Sequence, residues 1–221
     1  GVERLLVQSS EEVYGYTSSL PIREEEPLTP TTLYGATKGA QELMAMAYHD
    51  SYGLPVTVIR SSTIFGPHMR KTQVIPIFLE QALRGEPLTI HGRGEQTRDF
   101  NPICNHVHGL IAALTSPKAL GQTLNIGSGV ERSVRNIAEE CIRVIGSLSS
   151  LKFLPQRPGE EGLRVVLDIR KARELLGYAP KVSFQEDLEP MAAWLAKELG
   201  VTPSAKAGRC GAAATVVYCG A

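Results

Sequence analysis

The sequence predicts an α/β fold in which a parallel sheet is followed by a smaller α+β lobe. Two short runs of mainly apolar residues, 4–8 and 55–60, flank a helical pattern from Leu33 to Tyr52. Runs without polar alternation are typical of strands that are buried on both faces. The order strand, helix, strand indicates a parallel βαβ unit.

The first elements have clear boundaries. Pro21, Pro27 and Pro30 predict an irregular segment over residues 15–32, because proline interrupts both helices and strands. Gly53 and Pro55 are helix stop signals and place the end of the long helix at Tyr52. The β-branched residues of the second run favour a strand.

Beyond Gly66 the predicted elements become shorter and mixed. Helices are expected at about 73–84, 106–116, 134–145, 170–176 and 184–199, and strands at 88–91, 122–126, 151–154 and 164–168. This change predicts one domain over 1–66 and a second over 67–201. The Ala- and Gly-rich tail, 202–221, is expected to be disordered.

The composition excludes several classes of partner. Lys and Arg equal Asp and Glu at 23 each, so no global charge favours nucleic acid or an anionic membrane. No apolar run approaches the roughly 20 residues that span a bilayer, and we expect a cytoplasmic protein. The four cysteines lack metal-ligand spacing, so we expect reduced thiols and no metal.

The segment Tyr34-Gly35-Ala36-Thr37-Lys38 carries the first candidate catalytic pair. Residues four apart lie on one helix face, so the phenol and the ammonium are expected to act together. A tyrosine must lose its proton to act as a base, and neighbouring positive charge favours that loss. The spacing alone is also common on solvated helices, so its context decides the interpretation.

That context is the segment 9–15, Ser-Ser-Glu-Glu-Val-Tyr-Gly, at the carboxyl end of the first predicted strand. Ligands of open α/β sheets bind at the carboxyl ends of strands. Together with the Tyr34–Lys38 pair, the segment resembles the NAD-dependent nucleotide-sugar epimerase/dehydratase family of extended short-chain dehydrogenases. Further similar segments follow in the family's order at 27–30, 60–67, 92–100, 125–129 and 168–178.

The resemblance implies a Rossmann-like parallel sheet, a smaller C-terminal substrate lobe, and NAD as a bound redox relay. Oxidation of the sugar at C4 would give a ketone that acidifies the neighbouring carbon. By position, Tyr34 would be the base, Lys38 would hold the nicotinamide ribose, and Ser10 would orient the sugar hydroxyl. Ser9 and Ser62 match positions expected to contact the cofactor.

Glu11 and Glu12 separate the possible reactions. Glu12 matches the active-site glutamate of the family's dehydratases and UDP-glucuronate decarboxylases, and Glu11 matches the dehydratases' acidic general acid. A dyad with one protonated carboxyl would favour 4,6-dehydration over 4-epimerisation. The alternative is that Glu11 is simply a surface carboxylate. UDP-glucuronate decarboxylation is the nearest rival within the family.

The resemblance also implies a nucleotide-diphospho-sugar substrate. Arg98 and Arg164 match the arginines that bind the diphosphate, for which a guanidinium is well suited. Thr89 and His91 match the strand at the nucleotide base, and Thr63 replaces a frequent asparagine at the turn facing the sugar. Gln73 completes the predicted substrate contacts.

The glycine fingerprint of a dinucleotide-binding strand–helix turn is missing from this sequence. We expect roughly 100 residues, or three βαβ-sized units, to be missing before it. We also expect a homodimer through helix 33–52, whose Leu43, Met44, Ala47 and Tyr48 form an apolar stripe. The competing hypothesis is a non-catalytic fragment that only binds a nucleotide sugar or dimerises.

Overall fold

The computed structural model describes residues 1–17, 19–159 and 162–201, so the tail at 202–221 lies outside the described residues. The strands are β1 (Leu5–Ser10), β2 (Val56–Ser61), β3 (Thr63–Phe65), β4 (Leu88–His91), β5 (Thr97–Pro102), β6 (Thr123–Ile126), β7 (Glu131–Ser133) and β8 (Leu151–Leu154). The helices are α1 (Leu33–Tyr52), α2 (Val74–Arg84), α3 (Ile103–Thr115), α4 (Val134–Ile145), α5 (Arg170–Leu176) and α6 (Phe184–Leu199). Single 3₁₀ turns span Glu11–Tyr14 and Pro117–Ala119.

The chain forms two compact units. The first contains residues 1–64, 97–131 and 164–181, and the second contains 65–96, 132–163 and the described residues from 182 on. The chain first passes from one unit to the other between residues 64 and 65, close to the boundary expected near Gly66. The chain then returns twice to the first unit, so 97–131 and 164–181 do not follow the expected division into consecutive domains. Local sequence patterns do not show this, because it depends on long-range strand pairing.

A parallel sheet with the order β1-β2-β6 forms the centre of the first unit. Strands β1 and β2 pair in register from Leu5–Val56 to Ser10–Ser61, and α1 connects them, which confirms the predicted βαβ unit. Every residue of β2 is buried, as its uninterrupted β-branched run predicts. Strand β6, expected in the second domain, instead pairs with β2.

Helix α1 has the bounds that the sequence predicts because both of its ends carry capping groups. At the start, the Thr32 hydroxyl accepts a hydrogen bond from Gly35 N at 3.0 Å. At the end, Gly53 adopts a left-handed conformation with φ 67°, which glycine reaches without a Cβ penalty. The helix therefore begins and ends at fixed positions relative to the strands on either side.

The second unit contains a three-helix group and a separate two-stranded parallel sheet. Helices α2, α4 and α6 pack against one another, and β4 pairs with β8 from Leu88–Leu151 to His91–Leu154. A capping box fixes the start of α6, since Ser183 and Glu186 bond each other's backbone N–H groups. The predicted bounds of α4, α6, β4 and β8 are confirmed.

Three sequence expectations differ from the structure. The strand expected at 164–168 is only an isolated bridge between Ile22 and Leu167. Helix α3 begins at Ile103 rather than near 106, because Pro102 can precede the first turn of a helix without losing a hydrogen bond. Strands β3, β5 and β7, which form a second sheet, were not predicted from the sequence.

A buried ion pair joins α1 to β2. The Arg60 guanidinium donates to the Glu42 carboxylate from Nε at 3.1 Å to both oxygens and from Nη2 at 2.8 Å. Both side chains are at most 7% exposed. The Ser9 hydroxyl of β1 donates to the same carboxylate. Three elements of the first unit are therefore connected through one carboxyl group.

No helix within the described part of the chain is long and apolar enough to cross a membrane.

Replacing Glu42 by alanine should lower the free energy of unfolding by about 3–5 kcal/mol, because Arg60 would remain buried without a counter-charge. Urea unfolding followed by circular dichroism measures this loss.

Glu80→Ala is the matched control, since it removes an ion pair of similar length, 3.0 Å to Arg84, whose two side chains are 33% and 43% exposed. Its expected loss is below about 1 kcal/mol. Equal losses in the two variants would contradict the role given to the buried pair.

Candidate active site

Tyr34 and Lys38 lie on the first two turns of α1, as their spacing predicts. The Tyr34 side chain is 52% exposed, so its phenol is open to a ligand. Lys38 Nζ lies 5.9 Å from the centre of the Tyr34 ring and donates to the backbone oxygen of Gln8 at 2.8 Å. Since Gln8 is two residues before the end of β1, this bond ties the Tyr–Lys face of α1 to the carboxyl end of that strand.

Ser10 and Glu12 lie at the carboxyl end of β1 and in the 3₁₀ turn that follows it. Ser10 ends β1, and its hydroxyl accepts a hydrogen bond from Glu12 N at 3.3 Å, which caps the 3₁₀ turn Glu11–Tyr14. The exposed carboxyl group of Glu12 accepts a hydrogen bond from Thr32 Oγ1 at 2.6 Å. Thr32 is the N-cap of α1 and precedes Tyr34 by two residues, so the Glu12 carboxyl group is held at the start of the helix that carries Tyr34.

Gly35 allows the 3₁₀ turn and α1 to approach each other. A Cβ atom at this position would lie 2.5 Å from the Glu12 carbonyl oxygen and 3.0 Å from Pro30 Cβ. The distance to the carbonyl oxygen is too short for any Cβ atom, so the backbone would have to move. The glycine inside the Tyr34–Lys38 segment is thus required by the packing of the turn that carries Glu11 and Glu12.

Glu11 is buried, whereas Glu12 beside it is exposed. Burial, with a smaller contribution from the nearby Asp99 charge, raises the pKa of Glu11 to about 8. Thr63 Oγ1 donates to Glu11 Oε1 at 2.8 Å, while Oε2 has no hydrogen-bond partner within the described residues. The carboxyl group is therefore protonated at neutral pH, and the alternative of a surface carboxylate is wrong.

Asp99 fixes a turn in the same unit. Its side chain is fully buried and accepts hydrogen bonds from Ser128 N at 2.9 Å, Gly129 N at 3.1 Å and Leu167 N at 3.3 Å. Burial raises the pKa of Asp99, and these donors offset part of the rise. Asp99 lies in the segment 92–100, which resembles the family, but no role for Asp99 itself is predicted from the sequence.

The two serines predicted to contact the cofactor differ. The Ser9 hydroxyl is buried and donates to Glu42, so its hydrogen is already used within the chain. The Ser62 hydroxyl is also buried, but its oxygen lacks a hydrogen-bond partner in the part of the chain that the structure describes. Ser62 is the one of the pair that keeps an unused hydrogen-bonding group.

The predicted phosphate-binding arginines have partners of their own. Arg98 Nη1 donates to the backbone oxygen of Thr97 at 3.0 Å, and its positive charge favours ionisation of Glu11. Arg164 is 57% exposed in its side chain and donates to both oxygens of Glu131 at 2.7 Å. The Glu131 carboxylate thus occupies the two guanidinium N–H groups of Arg164 that could bind a phosphate in a bidentate manner.

The remaining predicted substrate contacts lie in the second unit. Gln73 is the N-cap of α2, and its side chain makes no capping bond. Thr89 N and Thr89 Oγ1 both bond the side-chain amide of Gln81, at 3.1 and 3.0 Å. His91 Nδ1 lies 3.1 Å from the Pro155 oxygen. Within their own unit, these three residues occupy separate positions on β4 and before α2.

A group of buried polar side chains in the first unit is not predicted from the sequence. Glu42, Arg60 and Tyr14 are all at most 6% exposed, and the Tyr14 hydroxyl donates to Asn125 Oδ1 at 2.7 Å. One signal was present: Arg60 is the single charged residue in an otherwise apolar or hydroxyl-bearing buried strand, and a buried charge requires a partner.

Gly35→Ala should lower the free energy of unfolding by about 1–3 kcal/mol, because the added methyl group overlaps the Glu12 backbone. Thermal or urea unfolding measures the change.

Gly39→Ala, one turn later on the same helix, is the matched control. Its added Cβ would meet only Leu28 Cδ1, at 3.9 Å. Alanine is favoured over glycine within a helix, so this variant should be as stable as the original or up to about 1 kcal/mol more stable. Destabilisation of both variants by the same amount would argue against a specific close approach at Gly35.

The pKa of Glu11 is raised from 4.5 to about 8 in the folded protein, so the folded state holds a proton that the unfolded state releases between these values. The stability contributed by this proton is fully present below about pH 4.5 and is lost as the pH rises through about 8. Glu11→Gln cannot ionise. Its unfolding free energy relative to the unmodified chain should therefore increase with pH, by at most about 1.4 kcal/mol per unit.

Urea unfolding at pH 5 and at pH 8 tests this difference. Thr63→Ser keeps the hydroxyl that bonds Glu11 and should preserve the pH dependence of the unmodified chain. Identical pH dependence in Glu11→Gln and the unmodified chain would show that Glu11 does not hold the proton.

The sequence model described as GDP-mannose 4,6 dehydratase matches residues 2–191. The dTDP-glucose 4,6-dehydratase of an Actinoplanes species is 33% identical over 194 residues, which cover 87% of this chain and 60% of that enzyme. UDP-glucuronic acid decarboxylase 1 of Xenopus tropicalis is 36% identical over 89% of this chain, and 48% of that protein is covered.

The crystal structure of UDP-glucuronic acid 4-epimerase from Bacillus cereus, in complex with UDP-glucuronic acid and NAD, superimposes with a TM-score of 0.81. It is 33% identical, and the match covers 89% of this chain and 62% of that one. The predicted α/β fold with a partial Rossmann-like sheet is thereby confirmed. The chain spans about 60% of the first relatives' length. Because the family model matches residues 2–191 of the 221, the chain belongs to the GDP-mannose 4,6 dehydratase family of NAD-dependent epimerases and dehydratases.

Proposed function

We propose that this chain forms the catalytic part of an NAD-dependent nucleotide-sugar enzyme that works through a 4-keto-sugar, with 4,6-dehydration favoured over 4-epimerisation. The observation that carries the proposal is the contrast between the two adjacent glutamates. Glu11 is buried and protonated at neutral pH, whereas Glu12 is exposed and lies at the start of the helix that carries Tyr34. A carboxylic acid beside a second carboxyl group suits the paired proton transfers of an elimination.

The chain has groups that fit the nicotinamide-ribose end of NAD. The Ser62 hydroxyl is buried and lacks a partner among the described residues. Within the described residues, Lys38 Nζ donates to Gln8 O and Gln41 Oε1, and an ammonium has a third N–H donor that would suit a ribose hydroxyl. Bound NAD would supply a hydride acceptor for sugar C4 and would return that hydride later.

Tyr34 is proposed to take the proton of the sugar C4 hydroxyl while the hydrogen on C4 leaves as a hydride. The exposed phenol has access to a ligand, and the Lys38 ammonium lies close to its ring. Ser10, at the end of β1, would orient the same hydroxyl. The resulting ketone acidifies the hydrogen on the neighbouring carbon C5.

The glutamates would complete the dehydration. Glu12 is proposed to remove the proton from C5, and Glu11 is proposed to give its proton to the departing hydroxyl group of C6, which leaves as water. The bond between C5 and C6 would become a double bond, which is saturated again when a hydride is added at C6 and Glu12 returns its proton to C5. The Thr63 hydroxyl holds one oxygen of Glu11, so we propose that Thr63 orients the acid as well as contacting the sugar.

For the nucleotide part of the substrate we propose Arg98 and Arg164 as ligands of the diphosphate, with Gln73, Thr89 and His91 as further contacts. Arg164 would have to exchange Glu131 for a phosphate, a substitution between two anions that a guanidinium binds in the same two-pronged way. Neither nucleic acid nor a membrane is a predicted partner, and the cytoplasm stays the predicted location.

A homodimer through α1 is a further part of the proposal. The side chains of Leu43, Met44 and Tyr48 on α1 are 54–65% exposed. A groove of about 470 Å³ lies along this helix and includes Leu5 of β1 and Leu54. Apolar side chains that protrude from a long helix are suited to packing against a second copy of that helix.

The decisive experiment incubates the protein with NAD and, separately, with dTDP-glucose, UDP-glucose and UDP-glucuronate. Mass spectrometry and NMR of the products distinguish the reactions, because dehydration removes water, decarboxylation removes carbon dioxide, and epimerisation leaves the mass unchanged. We expect loss of water, and Glu11→Gln should lower its rate by about 100-fold or more.

Tyr34→Phe should lower the turnover rate by a similar factor. Tyr52 is an exposed tyrosine on the same helix, and Tyr52→Phe should leave the rate unchanged. Release of carbon dioxide from UDP-glucuronate alone would favour decarboxylation, the reaction of the 36% identical relative. Binding of a nucleotide sugar without any turnover would support the non-catalytic alternative and overturn the proposal.

A further inference from the structure

Arg60 is a charged residue in the middle of the first unit's parallel sheet. It lies on β2, is 6% exposed, and is surrounded by partners from several elements. Besides the Glu42 carboxylate of α1, its guanidinium bonds the Tyr14 hydroxyl at 3.0 Å and the Glu24 backbone oxygen at 2.9 Å. It also stacks on the Tyr14 ring, 4.8 Å from the ring centre.

The first of these partners belongs to the helix face of the proposed base. Glu42 follows Lys38 by four residues and Tyr34 by eight, so the three side chains share one face of α1. Lys38 bonds the backbone of β1, and Glu42 bonds Arg60 of β2 together with Ser9 of β1. The position of this face along the sheet is thus set by polar contacts at two successive helical turns.

The second partner belongs to the turn that carries the proposed acid. Tyr14 is the last residue of the 3₁₀ turn that starts at Glu11. Its hydroxyl accepts from Arg60 and donates to Asn125 of β6. The two ends of the turn are therefore held separately, by Ser10 at the start and by the Arg60–Tyr14 contact at the end.

Stability alone does not account for this arrangement. Taking an arginine and a glutamate out of water costs about as much as their attraction returns, and apolar residues of similar volume often stabilise a core as well or better. Catalytic groups, in contrast, must be held within about 0.5 Å of their productive geometry. A guanidinium with donors on several sides can hold two elements at a fixed separation.

We propose that Arg60 is a positioning residue, which through Glu42 and Tyr14 fixes the turn bearing Glu11 and Glu12 relative to the helix face bearing Tyr34 and Lys38. The inference rests on the proposed function for its catalytic meaning. The geometric part, a fixed turn beside a fixed helix face, concerns this chain's residues alone and is tested separately below.

Tyr14→Phe is the sharpest variant, because it removes only the hydroxyl between Arg60 and Asn125 and retains the ring. Tyr178→Phe is the matched control. Tyr178 is equally buried and its hydroxyl donates to the Gly127 oxygen at 2.8 Å, but it belongs to neither element in the proposal. Both variants keep the core volume and remove a buried, hydrogen-bonded hydroxyl, so we expect similar losses of stability.

The readout is the titration of the Glu11 side chain in the 221-residue chain, followed by NMR of ¹³C-labelled glutamate and assigned with Glu11→Gln. In Tyr14→Phe the released turn should let water reach Glu11, and its pKa should fall by about one unit or more towards its ordinary value. In Tyr178→Phe it should stay unchanged. Arg60→Lys, which keeps the charge beside Glu42 but cannot span both partners, should act like Tyr14→Phe.

Kinetics provide the second readout. With the substrate identified by the product analysis, Tyr14→Phe should lower kcat by about 10-fold or more with little change in KM, because misplaced groups slow the reaction more than they weaken binding. Equal effects of Tyr14→Phe and Tyr178→Phe on the Glu11 titration would overturn the positioning role. Absence of turnover in the unmodified protein would overturn the proposed function, and the titration would still test the positioning.

Discussion

The first unit depends on one constraint, the need to give a buried guanidinium enough partners inside a parallel sheet. Arg60 meets this need with the Glu42 carboxylate, the Tyr14 hydroxyl and a backbone oxygen. An unpaired charge at this depth would cost several kcal/mol. The partners come from α1 and from the 3₁₀ turn after β1, so satisfying one side chain also brings together the two elements that carry the candidate catalytic groups.

The neighbouring carboxyl groups of Glu11 and Glu12 lie in opposite environments, one buried and one exposed. Successive residues of a 3₁₀ turn point in directions about 120° apart. Glu11 therefore points into the protein, where Thr63 meets it, and Glu12 points outwards to Thr32 at the start of α1. The backbone geometry of one short turn thus separates a protonated acid from an exposed carboxyl group. Such separation is a common basis for assigning acid and base roles.

Close packing joins the turn that carries the two glutamates to α1. Gly35 lets the Glu12 carbonyl approach α1 more closely than any other residue would allow, and the Lys38 ammonium bonds the backbone of β1 beside it. The site in the first unit is therefore built from backbone contacts as much as from side chains.

Local features of the sequence determined a large part of the structure. The bounds of α1, α4 and α6 follow from capping residues and from hydrogen bonds between residues four apart, and the Tyr34–Lys38 face follows from the helical repeat. Only the tertiary structure decided that β6 pairs with β2, that residues 164–168 form no strand, that the hydroxyl of Ser9 is used by Glu42, and that Glu11 is buried. These outcomes depend on contacts between residues far apart in the chain, such as Tyr14 with Asn125. Local residue patterns carry no information on such pairings, because burial and protonation are set by whichever distant groups the fold brings near.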